Sequence, residues 1–174
     1  GESVTLRGDE TERVIRITVE QAKGRVPVVA GAGTNSTYKS IEMSKMVREA
    51  KADALLLVCP YYNKPTQAGL EAHFRAILKE VPMPAMLYNI PGRTGSDLQT
   101  ETLQRLADVE HVVAVKEATG NVLRAQQILA RCGDRFDVLS GDDALTLGMM
   151  GVGGQGVVSV SANLVPKQVS NVVK

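Results

Sequence analysis

Aromatic side chains are scarce in this 174-residue sequence, which has no tryptophan, four tyrosines and two phenylalanines. That scarcity argues against a platform on which nucleobases stack. An excess of one charge is also missing. Twenty Lys and Arg stand against 19 Asp and Glu, with no basic cluster, so neither nucleic acid nor an anionic membrane is suggested as a partner. The two cysteines, Cys59 and Cys132, fit no metal-ligand spacing and are too few for a disulfide framework. Both are expected to be reduced, in a cytoplasmic protein. No apolar run approaches the ~18 residues of a membrane span, and no signal peptide opens the chain. A start at Gly1-Glu2-Ser3 without methionine suggests a truncated chain.

What the sequence does have is a rhythm. Short apolar runs at Val26–Ala30, Ala54–Cys59, Ala85–Asn89, Val112–Lys116, Asp137–Ser140 and Gly156–Val160 read as strands. Between them lie amphipathic stretches. One covers Asp9–Lys23, with Asp9 as N-cap, Glu12 at the capping-box position and Gly24 as a stop. Others cover Thr37–Ala52, stretches opened by Thr66 and by Thr100, Asn121–Cys132, Asp142–Met150 and Val165–Lys174. Strand starts recur every ~20–30 residues, the length of a βα unit. The expected fold is α/β: residues 1–174 as one domain of a (β/α)8 TIM barrel, incomplete, lacking about the first two strands and the C-terminal helical region. A doubly wound open sheet is the competing architecture. Polar residues at the strand ends (Tyr88, Asn89, Lys116, Glu117, Ser140, Asp142 and Ser161) favour the barrel, which would gather them into one ring.

Lys116 is the most informative of these. It closes the run Val112-Val113-Ala114-Val115, where an amine must reach solvent or lose hydration. Desolvation favours the neutral form, a nucleophile toward ketones. The competing reading is a lysine in a salt bridge, for which Glu117 is the nearest partner in sequence. Tyr88 ends the preceding strand; its hydroxyl either enters the barrel mouth or is bonded within a core. Arg93, in a Gly-flanked loop of Pro91-Gly92-Arg93-Thr94-Gly95, offers a fork for a carboxylate. Tyr61 and Tyr62 follow the strand before, and two large rings in a loop suggest a contact between subunits.

Other motifs carry less. Gly151-Val152-Gly153-Gly154-Gln155-Gly156 fits G-x-G-x-x-G, but it follows a helix and leads into a strand, the reverse of a dinucleotide site. It reads as a tight turn. Gly31-Ala32-Gly33-Thr34 lacks the third glycine and the lysine of a phosphate loop. His73 and His111 have no partners at metal spacing and read as surface or interface residues. Asp142 and Asp143 read as cap and first-turn acid of the next helix. No metal ligands are assigned.

Taken together, PYYNKPTQ around Tyr62, YNIPGRTG ending at Gly95, VKEATG around Lys116, SGDD at Ser140–Asp143 and GVVSVSAN at Gly156–Asn163 closely resemble one family. This is the dihydrodipicolinate synthase (4-hydroxy-tetrahydrodipicolinate synthase) family of Schiff-base lyases, which serve lysine and diaminopimelate biosynthesis. The resemblance implies an enzyme that condenses pyruvate with aspartate 4-semialdehyde and needs no metal or nucleotide cofactor. It implies Lys116 as the imine-forming residue and Tyr88 as proton donor and acceptor. Tyr62 would extend a proton relay into a neighbouring subunit of a homo-oligomer, a dimer of dimers. Arg93 would hold the semialdehyde carboxylate, with Val158 and Gly141 near pyruvate. Val4, Asn35, Lys39 and Tyr61, with Gly8 and Thr11 nearby, would match a lysine-effector cleft, although sensitive members carry an acidic residue where this chain has Lys39. Gly1-Glu2-Ser3 would be the tail of a GTTGES motif whose two threonines are absent, so the chain alone is expected to be poorly stable and inactive. N-acetylneuraminate lyase or a 2-keto-3-deoxy sugar acid aldolase is the nearest alternative, and a non-catalytic barrel serving as a binding module the more distant one.

Overall fold

A computed structural model describes residues 2–174. Gly1, the first residue of the GTTGES tail, lies outside them. Helix α1 (Gly8–Ala22) precedes β1 (Val29–Gly31), and the chain then alternates α2 (Thr37–Glu49), β2 (Ala54–Val58), α3 (Gln67–Glu80) and β3 (Ala85–Asn89). Two helices, α4 (Pro91–Thr94) and α5 (Thr100–Leu106), separate β3 from β4 (Val112–Glu117). There follow α6 (Val122–Cys132), β5 (Asp137–Ser140), α7 (Thr146–Gly151), β6 (Gly156–Val157) and α8 (Pro166–Val172).

The six strands form one sheet in sequential order, every neighbouring pair parallel. A doubly wound sheet reverses its strand order at a switch point, and this sheet does not. It is curled, so the chain forms six successive βα units of an unclosed TIM barrel, as expected.

Alternation along the strands sorts the side chains onto two faces. Leu55, Leu57, Leu87, Val115 and Val138 face the helices and are fully buried in a cluster with Leu70, Phe74, Ile77, Leu103 and Ile128. Val58, Tyr88, Lys116 and Leu139, linked by register across four strands, share the concave face and are only half-buried. One irregularity sets this phase. Ala85 pairs with Val112 but Met86 with Ala114, so Val113 is an extra residue in β4. Without that bulge the tip of β4 would be turned by one residue and Lys116 would face the helices.

Several boundaries differ from the sequence reading for local reasons. The N-cap of α1 is Arg7, whose N–H donates to Glu10 (2.9 Å), while Asp9 pairs with the Arg7 guanidinium. The helix ends at Ala22, and its left-handed C-cap is Lys23, one residue before the expected stop at Gly24. The loop expected around Arg93 is one helical turn, started by Pro91 at its first position and stopped by Gly95 at φ +71°. The glycine motif is the expected turn. Gly153 has φ +107°, a Cβ on Gly154 would lie 2.9 Å from the Met149 carbonyl oxygen, and Gln155 bonds Val138 through backbone and side chain. Gly33 answers a close approach between strands, not a phosphate: a Cβ there would sit 2.4 Å from the Val58 nitrogen.

Candidate active site

Lys116 and Tyr88 are register partners on adjacent strands, and Lys116 Nζ lies 3.9 Å from the centroid of the Tyr88 ring. None of the ion pairs among the described residues includes Lys116. The alternative of a salt bridge with Glu117 is therefore overturned, because strand alternation turns Glu117 to the opposite face. Burial lowers the Lys116 pKa from the ordinary lysine value. Burial raises that of Tyr88, against an opposing pull from the Arg93 guanidinium. The Tyr88 hydroxyl bonds no protein group among the described residues, so it is free to exchange a proton with a ligand.

Gly141 adjoins the pair. A Cβ at this position would lie 2.6 Å from Ala118 Cβ and 3.1 Å from Lys116 Cε, so the absent side chain makes room for the lysine. Its N–H donates to the Glu117 carbonyl (2.8 Å), tying β5 to the end of β4. Val158 extends the ladder beyond β6 by donating to the Ser140 carbonyl (2.8 Å).

Two loops beside the site are fastened together. Ser96 Oγ donates to the Pro60 carbonyl (2.7 Å), Tyr62 N–H to the Thr94 carbonyl (3.2 Å), and the Lys64 chain covers Gly95. This lock carries Arg93 on one side and Tyr61 and Tyr62 on the other. Tyr62 is 89% exposed and left-handed at φ +73°, an uncommon conformation for a bulky residue. Of the effector-cleft residues, Val4 and Lys39 are exposed and Tyr61 is half-buried, while the Asn35 carbonyl accepts from Asn63 Nδ2 (3.1 Å).

The ring of polar strand ends is smaller than expected. Asn89, Glu117 and Ser140 face the helices and are fully buried; only Tyr88 and Lys116 of the expected strand residues share the concave face. Sequence reading missed the network that Asn89 and Glu117 form with Asp97 and Arg124, although period-two alternation from Lys116 would have placed Glu117 on that face. His73 is also corrected. It is a buried residue between α2 and α3, with Nδ1 2.9 Å from Thr37 Oγ1, and burial pushes its pKa down to about 4. Asp142 and Asp143 act as expected. Asp142 caps the turn by accepting from Ala144 N–H, and Asp143 accepts from Val160 N–H and from Ser161 N–H and Oγ–H. The Ser159 hydroxyl first, then these donors, hold the Asp143 pKa at about 2.

A parallel βα barrel with a desolvated lysine stacked on a tyrosine at the carboxyl ends of its strands defines the class. Residues 1–174 match the dihydrodipicolinate synthetase family, and the chain belongs to it. It is 59% identical over 168 residues to the 4-hydroxy-tetrahydrodipicolinate synthase of Halorhodospira halophila, covering 97% of this chain and 56% of that protein. The dihydrodipicolinate synthase of Acinetobacter baumannii, solved with pyruvate, superposes with a TM-score of 0.97 at 44% identity, over 99% of this chain and 60% of that one. The enzyme of Cyanidioschyzon merolae, solved with lysine bound, superposes at 0.95 and 43% identity, over 99% and 59%. The chain thus spans under two thirds of the length of these relatives.

Proposed function

We propose that this chain carries the imine-forming half-site of a 4-hydroxy-tetrahydrodipicolinate synthase, acting on pyruvate and aspartate 4-semialdehyde. The observation that carries the reading is the Lys116–Tyr88 pair, a lysine held by burial toward its neutral form beside an unbonded phenol. The Lys116 lone pair attacks the keto carbon of pyruvate to give a carbinolamine. Tyr88 protonates the departing hydroxyl, water leaves, and an iminium remains. Loss of a methyl proton gives the enamine, the iminium nitrogen taking the electron pair, so no metal or nucleotide is needed. The enamine carbon attacks the semialdehyde aldehyde, whose oxygen takes a proton. The substrate's own amine then adds to the iminium carbon and expels Lys116. Arg93 holds the semialdehyde carboxylate through its guanidinium fork, and Gly141 and Val158 border the pyruvate.

The protein works in the cytoplasm as a homo-oligomer, a dimer of dimers in which Tyr62 reaches a neighbouring subunit. Two buried free thiols, and a ring held exposed on a locked loop, support this. No helix among the described residues is long and apolar enough to cross a membrane. A lysine-effector cleft around Val4, Asn35, Lys39 and Tyr61 would bind weakly here, because the Lys39 cation repels the effector's ammonium.

The test is to add pyruvate to the complete enzyme, reduce with borohydride and map the adduct. One pyruvate-derived mass on the peptide containing Lys116 is expected. Trapping on another lysine, such as Lys64 or Lys79, would sink the assignment. The favoured second substrate is a small carboxylate-bearing aldehyde, so turnover with sugar-derived aldehydes in its place would move the protein to the sugar-acid aldolases.

A further inference from the structure

On the helix-facing side of the strands, directly behind the Lys116–Tyr88 pair, lies a closed polar network. Asn89 and Glu117 are register partners one residue beyond Tyr88 and Lys116, and both are at most 2% exposed. The Asn89 amide donates to Glu117 Oε2 (3.2 Å) and Asp97 Oδ1 (3.0 Å), and its oxygen accepts from Leu98 N–H (3.0 Å). Glu117 Oε1 accepts from Thr119 N–H (2.7 Å), in the turn that follows β4. Asp97 Oδ2 accepts from Arg124 on α6 (2.5 Å). The backbone adds a bond from Ala118 N–H to the Asn89 carbonyl (2.9 Å).

We propose that Glu117 is a positioning residue, which with Asn89 locks the tips of β3 and β4 so that Lys116 and Tyr88 meet in reactive register. The proposal rests on Lys116 being the imine-forming amine. The carboxylate accepts two bonds, one at each oxygen, from donors fixed on different segments. A carboxamide of the same shape has one acceptor oxygen, so a glutamine here must turn its NH2 toward either Thr119 N–H or the Asn89 amide nitrogen. Either choice sets donor against donor in a buried place, and the strand tip must shift to relieve it. Asn89 is equally constrained: its nitrogen meets two carboxylates and its oxygen an N–H, so an aspartate would face two like charges. Glu117 lies on the face away from Lys116 Nζ, and burial is what lowers the lysine's pKa. Its influence is therefore on geometry and not on protonation.

The experiment measures pyruvate trapping at Lys116 against pH in the complete enzyme, for the parent protein, Glu117→Gln, and Ile77→Val as a buried core variant on α3, outside the network. For Glu117→Gln the plateau rate is expected to fall about 10- to 100-fold, the scale of a misplacement of about 1 Å, with the pH midpoint unchanged. Ile77→Val should lower thermal stability and leave the plateau intact. A folded Glu117→Gln with the parent's plateau rate overturns the proposal, as does a loss explained wholly by a shifted midpoint. If Glu117→Gln does not fold, Asp97→Asn decides on the same readout: a reduced plateau with the midpoint held supports the lock, and the parent's rate overturns it. Absence of trapping in the parent itself would instead reject the Lys116 reading, so the two failures are distinct.

Discussion

Lys116 Nζ rests 3.9 Å above the centre of the Tyr88 ring, its register partner on the adjacent strand. Two effects oppose each other there. The face of the ring attracts an ammonium, whereas partial burial favours the neutral amine and sets the direction of the pKa. The ring can thus hold a protonated lysine in place at rest without keeping it protonated when a ketone arrives.

Tyr88→Phe separates the two roles of the tyrosine. The ring remains under Nζ, so pyruvate should still be trapped at Lys116 with the same pH midpoint, but more slowly, because the dehydration step loses its acid. The hydroxyl is lost, and turnover should fall about 10²- to 10⁴-fold, the range for a positioned general acid or base. Comparing trapping with steady-state turnover checks this; turnover kept within a few-fold would remove Tyr88 from proton transfer.

Gly141→Ala tests the packing beside the amine. The added methyl group comes too close to Ala118 Cβ and lies tight against Lys116 Cε, so Ala118 or the strand tip that carries Lys116 must move. Overpacking of this kind costs about 1–3 kcal/mol. A lower urea midpoint with slower trapping is expected. Unchanged trapping would mean that Ala118 yields and the lysine does not.

The sequence carried the fold because its signals were local and repeated. The strands Ala85–Asn89 and Asp137–Ser140 are bounded as the apolar runs are, and Thr66 and Asn121 cap α3 and α6 as their side chains imply. It carried Lys116 and Tyr88 for the same reason, each being a polar residue that closes an apolar strand. What it did not carry depends on facing. Asn89 and Glu117 are adjacent in sequence to the site residues yet lie on the other side of the sheet. The bulge at Val113, which sets that phase, has no marker in a run of valines. The burial of His73 depends on α2 packing against α3, which spacing along one helix does not encode.

Lys39→Glu tests the charge argument at the proposed effector site. Lys39 is exposed at the start of α2, within the element that also follows Asn35. Replacing a cation by an anion at a solvated cleft removes a repulsion and adds an ion pair. Lysine binding should tighten roughly fivefold or more, read by inhibition or calorimetry on the intact protein. Tight binding by the parent, unaffected by the substitution, would place the effector elsewhere.

His73 gives a pH dependence whose sign follows from its burial. Folded, its pKa lies at about 4; the ordinary value is 6.5. Between these values the unfolded chain binds the proton and the folded one does not, so stability falls as pH falls through that window and is level above it. A difference of this size corresponds to at most roughly 3 kcal/mol, reduced by whatever solvent reaches the ring. Nε2 has no partner among the described residues, so a proton on the ring leaves an ammonium-like N–H with nothing to accept it. His73→Phe removes the titrating group while keeping a ring against Phe74. Carboxylates also titrate in this range, so the informative quantity is the difference between the two proteins' urea midpoints from pH 7 to pH 4. The parent should lose stability faster than the variant across that range, and parallel curves would show that His73 is not held neutral by the fold.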